Sequence, residues 1–101
     1  YKLLSKAVEA GKKLQCNVVC GPIYSSDVFY TGRNMQPELW ELGILAVEME
    51  AAALYLNAAK AKKNALTICT ISDSLVTGEE LSGEERQIGF RNMMEMGLSI
   101  I

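Results

Sequence analysis

Three short clusters in this 101-residue chain hold side chains able to do chemistry. The first is Val47-Glu48-Met49-Glu50, two carboxylates that follow an apolar run. A carboxylate accepts two hydrogen bonds at once and so matches a vicinal diol such as that of ribose. In open α/β sheets ligands gather beyond the carboxyl ends of the strands, which is where this pair would fall. Glu48 and Glu50 share a face if the strand continues that far. The ordinary alternative is a pair of acids favoured at a helix N-terminus by the macrodipole. The second cluster is Ser72-Asp73-Ser74, after another apolar run. Asp73 can serve as an acid, a base or a cap, and turns and caps are the common use of Ser-Asp-Ser.

The third cluster is Glu84-Glu85-Arg86. The positive end of a helix dipole disfavours a cation in the first turn, so Arg86 gains by reaching a carboxylate. The plain alternative is a solvated Arg beside Glu84 or Glu85, worth little. Between Asp73 and Arg86 lies a stretch with Gly78 and Gly83 that reads as a flexible lid able to bring the two together. Phe29 and Tyr30 are the only adjacent aromatics, and a ring face there either stacks on a flat heterocycle such as a purine or packs in a core.

What the composition leaves out narrows the chemistry. There is no His, which removes Ser-His-Asp and Cys-His mechanisms within the chain and the commonest zinc ligand. The three cysteines, Cys16, Cys20 and Cys69, have no CxxC spacing, so reduced thiols are expected and no metal site is. Ten Lys and Arg against 12 Asp and Glu give a net charge of −2, which argues against a nucleic-acid partner. No apolar stretch is long enough to span a bilayer and no signal-peptide pattern opens the sequence, so a cytoplasmic protein without a membrane partner is expected. With half its residues hydrophobic, the chain has enough apolar side chain to fold.

The elements that must position these clusters follow from periodicity. Residues 2–14 carry Leu3, Leu4, Ala7, Val8 and Leu14 near helical spacing. Residues 17–20 read as a short strand, and Gly21-Pro22 as a break. Residues 37–42 read as a short helix with Pro37 in its first turn and Gly43 at the C′ position. Residues 44–49 form a strand by their apolar run, the Ala- and Leu-rich residues 50–63 a helix, and residues 65–71 a fully buried strand holding Cys69. Ser82 and Glu85 fit a capping box that opens a last helix, through Ile88, Phe90, Met93, Met94, Met96 and Leu98, with its methionines in the core. Alternating strands and helices predict an α/β fold with helices on the sheet faces. The chain enters in one helix and stops on Ile-Ile in another, so a piece of a larger domain is expected.

Taken together the clusters resemble the hexameric, bacterial-type purine nucleoside phosphorylases. The resemblance rests on Ser25-Ser26-Asp27-Val28-Phe29-Tyr30, Val47-Glu48-Met49-Glu50-Ala51-Ala52, Thr70-Ile71-Ser72-Asp73, Thr77-Gly78-Glu79 and Glu84-Glu85-Arg86-Gln87. It covers the chain from about residue 17 onward. Val-Glu-Met-Glu belongs to the wider nucleoside phosphorylase superfamily; Ser-Asp with the downstream Thr-Gly-Glu and Glu-Glu-Arg-Gln is more specific.

The resemblance implies a mixed-sheet, three-layer fold, of which residues 1–101 are the C-terminal portion of a single domain. It implies reversible cleavage of a purine nucleoside by inorganic phosphate, the co-substrate, with no cofactor. Asp73 then matches the general acid that protonates the purine N7, and Arg86 the residue on a mobile helix segment that approaches it. Met49 and Glu50 match the ribose-binding pair, Val47 and Glu48 positions beside the base, Phe29 the stacking aromatic and Ser72 a neighbour of the acid. The family's phosphate-binding loop and arginines have no counterpart in these residues, so the segment alone is expected to be inactive. A homo-oligomer, a trimer of dimers, is expected by analogy. The competing readings are a methylthioadenosine/adenosylhomocysteine nucleosidase, which uses water, and a non-catalytic α/β module.

Overall fold

The computed structural model describes residues 1–28 and 34–101. Their elements run in the order helix α1 (Lys2–Lys13), strand β1 (Ile23–Ser25), helix α2 (Gln36–Glu41), strand β2 (Ala46–Glu48), helix α3 (Ala51–Lys60) and helix α4 (Gly83–Ser99). They fall into two compact units, Tyr1–Val19 with Leu66–Ile101, and Cys20–Ala65. The class is α/β, as the alternation of apolar runs and Ala-rich helices predicts.

In the first unit the small residues of α1 decide the packing. Ala10 and Gly11 follow Ala7 by three and four residues, so the three share a face, and they are the buried residues of that helix. Ala7 and Ala10 form a core with Met96 and Ile100 from the end of α4, against which Leu14, Cys16, Val18, Leu66 and Ile68 pack. A Cβ on Gly11 would run into Val18 Cγ2 and stand 3.0 Å from Met96 Cε. The segment after residue 65 lies against α4 at Gly89: Thr70 Oγ1 donates to the Gly89 carbonyl at 3.2 Å, and a Cβ there would meet Thr70 Cγ2 at 2.8 Å.

The second unit holds the sheet. β1 and β2 pair in parallel, with Ile23 opposite Ala46, Tyr24 opposite Val47 and Ser25 opposite Glu48. Leu45 N–H donates to Pro22 O and Ser26 N–H to Glu48 O, both at 2.9 Å, so the pairing extends past each end. α1, α2 and α3 end alike. In each, the second residue past the C-cap reaches back five residues: Cys16 N–H to Gly11 O, Ile44 N–H to Leu39 O and Lys63 N–H to Ala58 O. This is the Schellman arrangement, and it needs a left-handed residue at C′. Gly43 fills that place after α2 with φ 68°, while Gln15 and Lys62 fill it after α1 and α3 without glycine.

Several expectations are corrected. Residues 17–20 and 65–71 are not strands, because a strand exists only where a neighbour offers a matching row of N–H and C=O groups. Among the described residues neither run has such a ladder. Cys69 is exposed rather than buried, as is Ile71, whereas Leu66 and Ile68 pack on the core. β1 occupies a run that had no clear strand pattern. In α4, Met96 is buried and Met93 half-buried, but Met94 is 57% exposed. The apolar side chains of α4 are spread round the helix, and α1 covers only the stripe through Met96 and Ile100.

The packing at Gly11 sets two effects against each other. Ala is better than Gly inside a helix by about 1 kcal/mol, whereas overpacking costs about 1–3 kcal/mol. Val18 is held in the core, so the steric term wins and Gly11→Ala is expected to lower stability by about 1–2 kcal/mol. A urea midpoint at or above that of the parent chain would show the contact to be loose.

Candidate functional site

Asp73 sits on the stem of a tight hairpin. Ser74 N–H donates to Glu79 O at 2.8 Å and Leu81 N–H to Ser72 O at 2.9 Å, and Asp73 bridges Glu80 in antiparallel fashion between them. The tip is closed by Gly78 N–H on Ser74 O at 2.9 Å and by Thr77 N–H on Ser74 Oγ at 3.1 Å. Gly78 has φ 73°, a left-handed turn position that suits glycine. The stretch expected to be a loose lid is thus folded on itself by its own hydrogen bonds.

The hairpin feeds directly into α4. Ser82 is the N-cap: its Oγ accepts from Glu85 N–H at 3.1 Å, and Glu85 Oε2 accepts from Ser82 N–H at 2.9 Å. This is the capping box expected from Ser-x-x-Glu. It occupies Glu85, and one residue further Arg86 extends Nη2 to Asp73 Oδ1 at 3.0 Å. The other carboxylate oxygen, Oδ2, accepts from Ser72 Oγ at 3.0 Å. Arg86 therefore pairs with Asp73 and not with its helix neighbours. Arg86 Nε is buried with no hydrogen-bond partner among the described residues.

A magnitude decides what this pair is for. The side chains are 40% and 46% exposed, for Arg86 and Asp73 respectively. An exposed ion pair of this kind is worth roughly 0–1 kcal/mol, so stability does not account for it. The arrangement is that of a carboxylate held between a guanidinium and a hydroxyl and half exposed.

The second cluster is built where β2 passes into α3. Glu48 is the last residue of β2, so the strand does not carry Glu50 onto its face. Glu48 Oε2 instead accepts from the N–H groups of Glu50 and Ala51, each at 2.7 Å. Ser25 Oγ, from the paired end of β1, accepts from Ala52 N–H at 3.1 Å. Three N–H groups at the start of α3 are thus satisfied by side chains from the two strand ends. Burial pushes the Glu48 carboxyl up, but the Ser25 hydroxyl and the N–H groups of Glu50 and Ala51 outweigh it and hold it below its ordinary value of 4.5. Glu48 Oε1 is buried with no hydrogen-bond partner among the described residues.

Helix capping, the ordinary alternative for this pair, is what Glu48 does. Glu50, at the N-cap position, makes no side-chain cap and is exposed, as are Val47 and Met49. Ser25 was missed in the sequence; the only signal was a hydroxyl in a run whose strand character is too short to register. Phe29 lies outside the described residues. Ser72, Asp73 and Arg86 are brought into one hydrogen-bonded group. Among the described residues no three Cys, Asp or Glu side chains are arranged to hold a metal ion, and no helix is long and apolar enough to cross a membrane.

Known proteins bear on these clusters. A family model described as the phosphorylase superfamily matches residues 1–98. A DeoD-type purine nucleoside phosphorylase of Thermoanaerobacter sp. (strain X514) is 48% identical over 104 residues, covering 99% of this chain and 43% of its own length. The protein of the same name from Clostridium beijerinckii is 48% identical over 102 residues, covering 100% and 43%. That from Bacillus thuringiensis (strain Al Hakam) is 46% identical over 99 residues, covering 97% and 42%. The chain spans less than half the length of these relatives.

A depressed carboxyl contributes stability that is present above its ordinary value and lost as pH falls through its folded value. Glu48→Ala is therefore expected to lower the melting temperature at pH 7, with the gap to the parent narrowing as pH falls below 4.5. Melting curves at pH 7 and pH 3 check this; an equal gap at both would mean that the charge of Glu48 is not what holds α3.

Proposed function

The chain belongs to the phosphorylase superfamily, and on that premise we propose that the protein it forms part of performs reversible phosphorolysis of purine nucleosides, giving free purine and ribose or deoxyribose 1-phosphate. The observation that carries the reading is the Arg86–Asp73 pair, 3.0 Å apart and half open. The names of the relatives support it.

In this mechanism a phosphate oxygen forms a bond to the sugar C1′ while the bond from C1′ to the purine breaks. The electron pair of that bond goes to the leaving base. Protonated Asp73 delivers its proton to N7 and relieves that charge. The carboxylate it becomes is what Arg86 and Ser72 are placed to receive, since both present donors to it. Glu50 grips the sugar hydroxyls, because a free carboxylate beside a diol accepts from both. Holding the sugar still lets the attacking oxygen approach in line. Val47, Met49 and Phe29 supply apolar surface to base and sugar, and Glu48 lies beside the base. No cofactor is required, and the phosphate cradle is supplied by residues outside these 101. The protein acts in the cytoplasm as a homo-oligomer, a trimer of dimers.

The test uses the full-length protein with inosine or adenosine, in the presence and absence of phosphate. Purine release should require phosphate and yield the sugar 1-phosphate. Release by water alone would make it a nucleosidase. Asp73→Asn should lower kcat by about 10²- to 10⁴-fold, the range of a general acid, and unchanged turnover would favour a non-catalytic role for Asp73. Sedimentation of the same protein as a monomer would refute the proposed assembly.

A further inference from the structure

We propose that the reciprocal cap formed by Ser82 and Glu85 is a positioning device for Arg86, setting the start of α4 so that the guanidinium falls on Asp73. The inference rests on the reading of Asp73 as the acid and Arg86 as its partner. It assigns a task to two residues that touch neither substrate nor the reacting atoms.

The path from Asp73 to Arg86 is a sequence of fixed hydrogen bonds. Leu81 N–H on Ser72 O ties the residue before Ser82 to the residue before Asp73. The cap then closes on both sides, Ser82 Oγ to Glu85 N–H and Glu85 Oε2 to Ser82 N–H. Arg86 N–H donates to Ser82 O at 2.9 Å, the first full helical bond of α4. The residue inside the cap is Gly83, which by itself gives the helix no preferred starting point. A helix turns about 100° per residue, so a start displaced by one position would swing the guanidinium away from Asp73. The exposed ion pair is too weak to impose the register itself. The cap, with two oriented hydrogen bonds, is the stronger determinant of where α4 begins. The choice of the third cap position is also material: it occupies the Glu85 carboxylate, which would otherwise compete with Asp73 for the neighbouring cation.

The experiment uses the full-length protein with a purine nucleoside and phosphate. Ser82→Ala should lower kcat roughly 5- to 10-fold, the factor matching loss of one cap, while KM for the nucleoside changes by less than about twofold. Ser82→Asp, which caps as well as serine, should restore kcat. In an Arg86→Ala background Ser82→Ala should cost nothing more, because the residue it positions is gone. Glu85→Ala removes the other arm of the cap and carries the same test if Ser82→Ala fails to fold. A loss that adds fully to that of Arg86→Ala, or one that Ser82→Asp does not restore, overturns the proposal. If Arg86→Ala slows turnover but both cap variants match the parent, the proposal falls and the role of Arg86 stands. If Arg86→Ala itself turns over normally, both fall together.

Discussion

The first N–H groups of a helix have no partner within it, and they must find one elsewhere. Both candidate clusters are solutions to that requirement. At α3 the acceptors come from the ends of two strands, with Glu48 Oε2 taking two donors and Ser25 Oγ a third. At α4 they come from the helix itself, through Ser82 and Glu85. In each case the answer to a backbone problem fixes the side chain that follows or interrupts it: Glu50 at the N-cap of α3, and Arg86 immediately past the box of α4. Glu50 and Arg86 are where they are because helix starts are places at which the chain has little freedom.

The two solutions differ in how they leave their charges. Burial raises the Glu48 carboxyl, but the Ser25 hydroxyl and two backbone donors outweigh it and draw it downward. Asp73 is held by side chains on a half-exposed stem, where a ligand can exchange with either partner. A carboxylate locked to backbone is a structural part; one met by a guanidinium and a hydroxyl holds no helix start in place. The same functional group therefore serves as a girder in one unit and as a candidate acid in the other, and the surroundings make the difference.

Local signals were readable from the sequence and pairing signals were not. The Ser82–Glu85 box, the Gly43 terminus and α1 are written in neighbouring residues, since caps and helical spacing depend on positions at most four apart. Arg86 looked misplaced in a first turn, and the structure gives it the carboxylate it lacked. Strands were harder. Residues 17–20 and 65–71 have apolar strand composition without a ladder among the described residues, while Ile23–Ser25 is only three residues long and pairs with β2. Whether a short run becomes a strand is settled by what lies beside it, which no single window shows. The role of Ser25 was lost for the same reason: it follows from the register opposite Glu48, not from its neighbours in the chain.

The start of α3 has one more implication. Three aligned N–H groups on a helix axis are the usual landing place for a phosphoryl group. Here Glu48 is already seated there, so the pole is neutralised from within. With the N–H groups of Glu50, Ala51 and Ala52 taken up in this way, what the start of α3 turns outward is the exposed Glu50 carboxylate, an acceptor for hydroxyl groups.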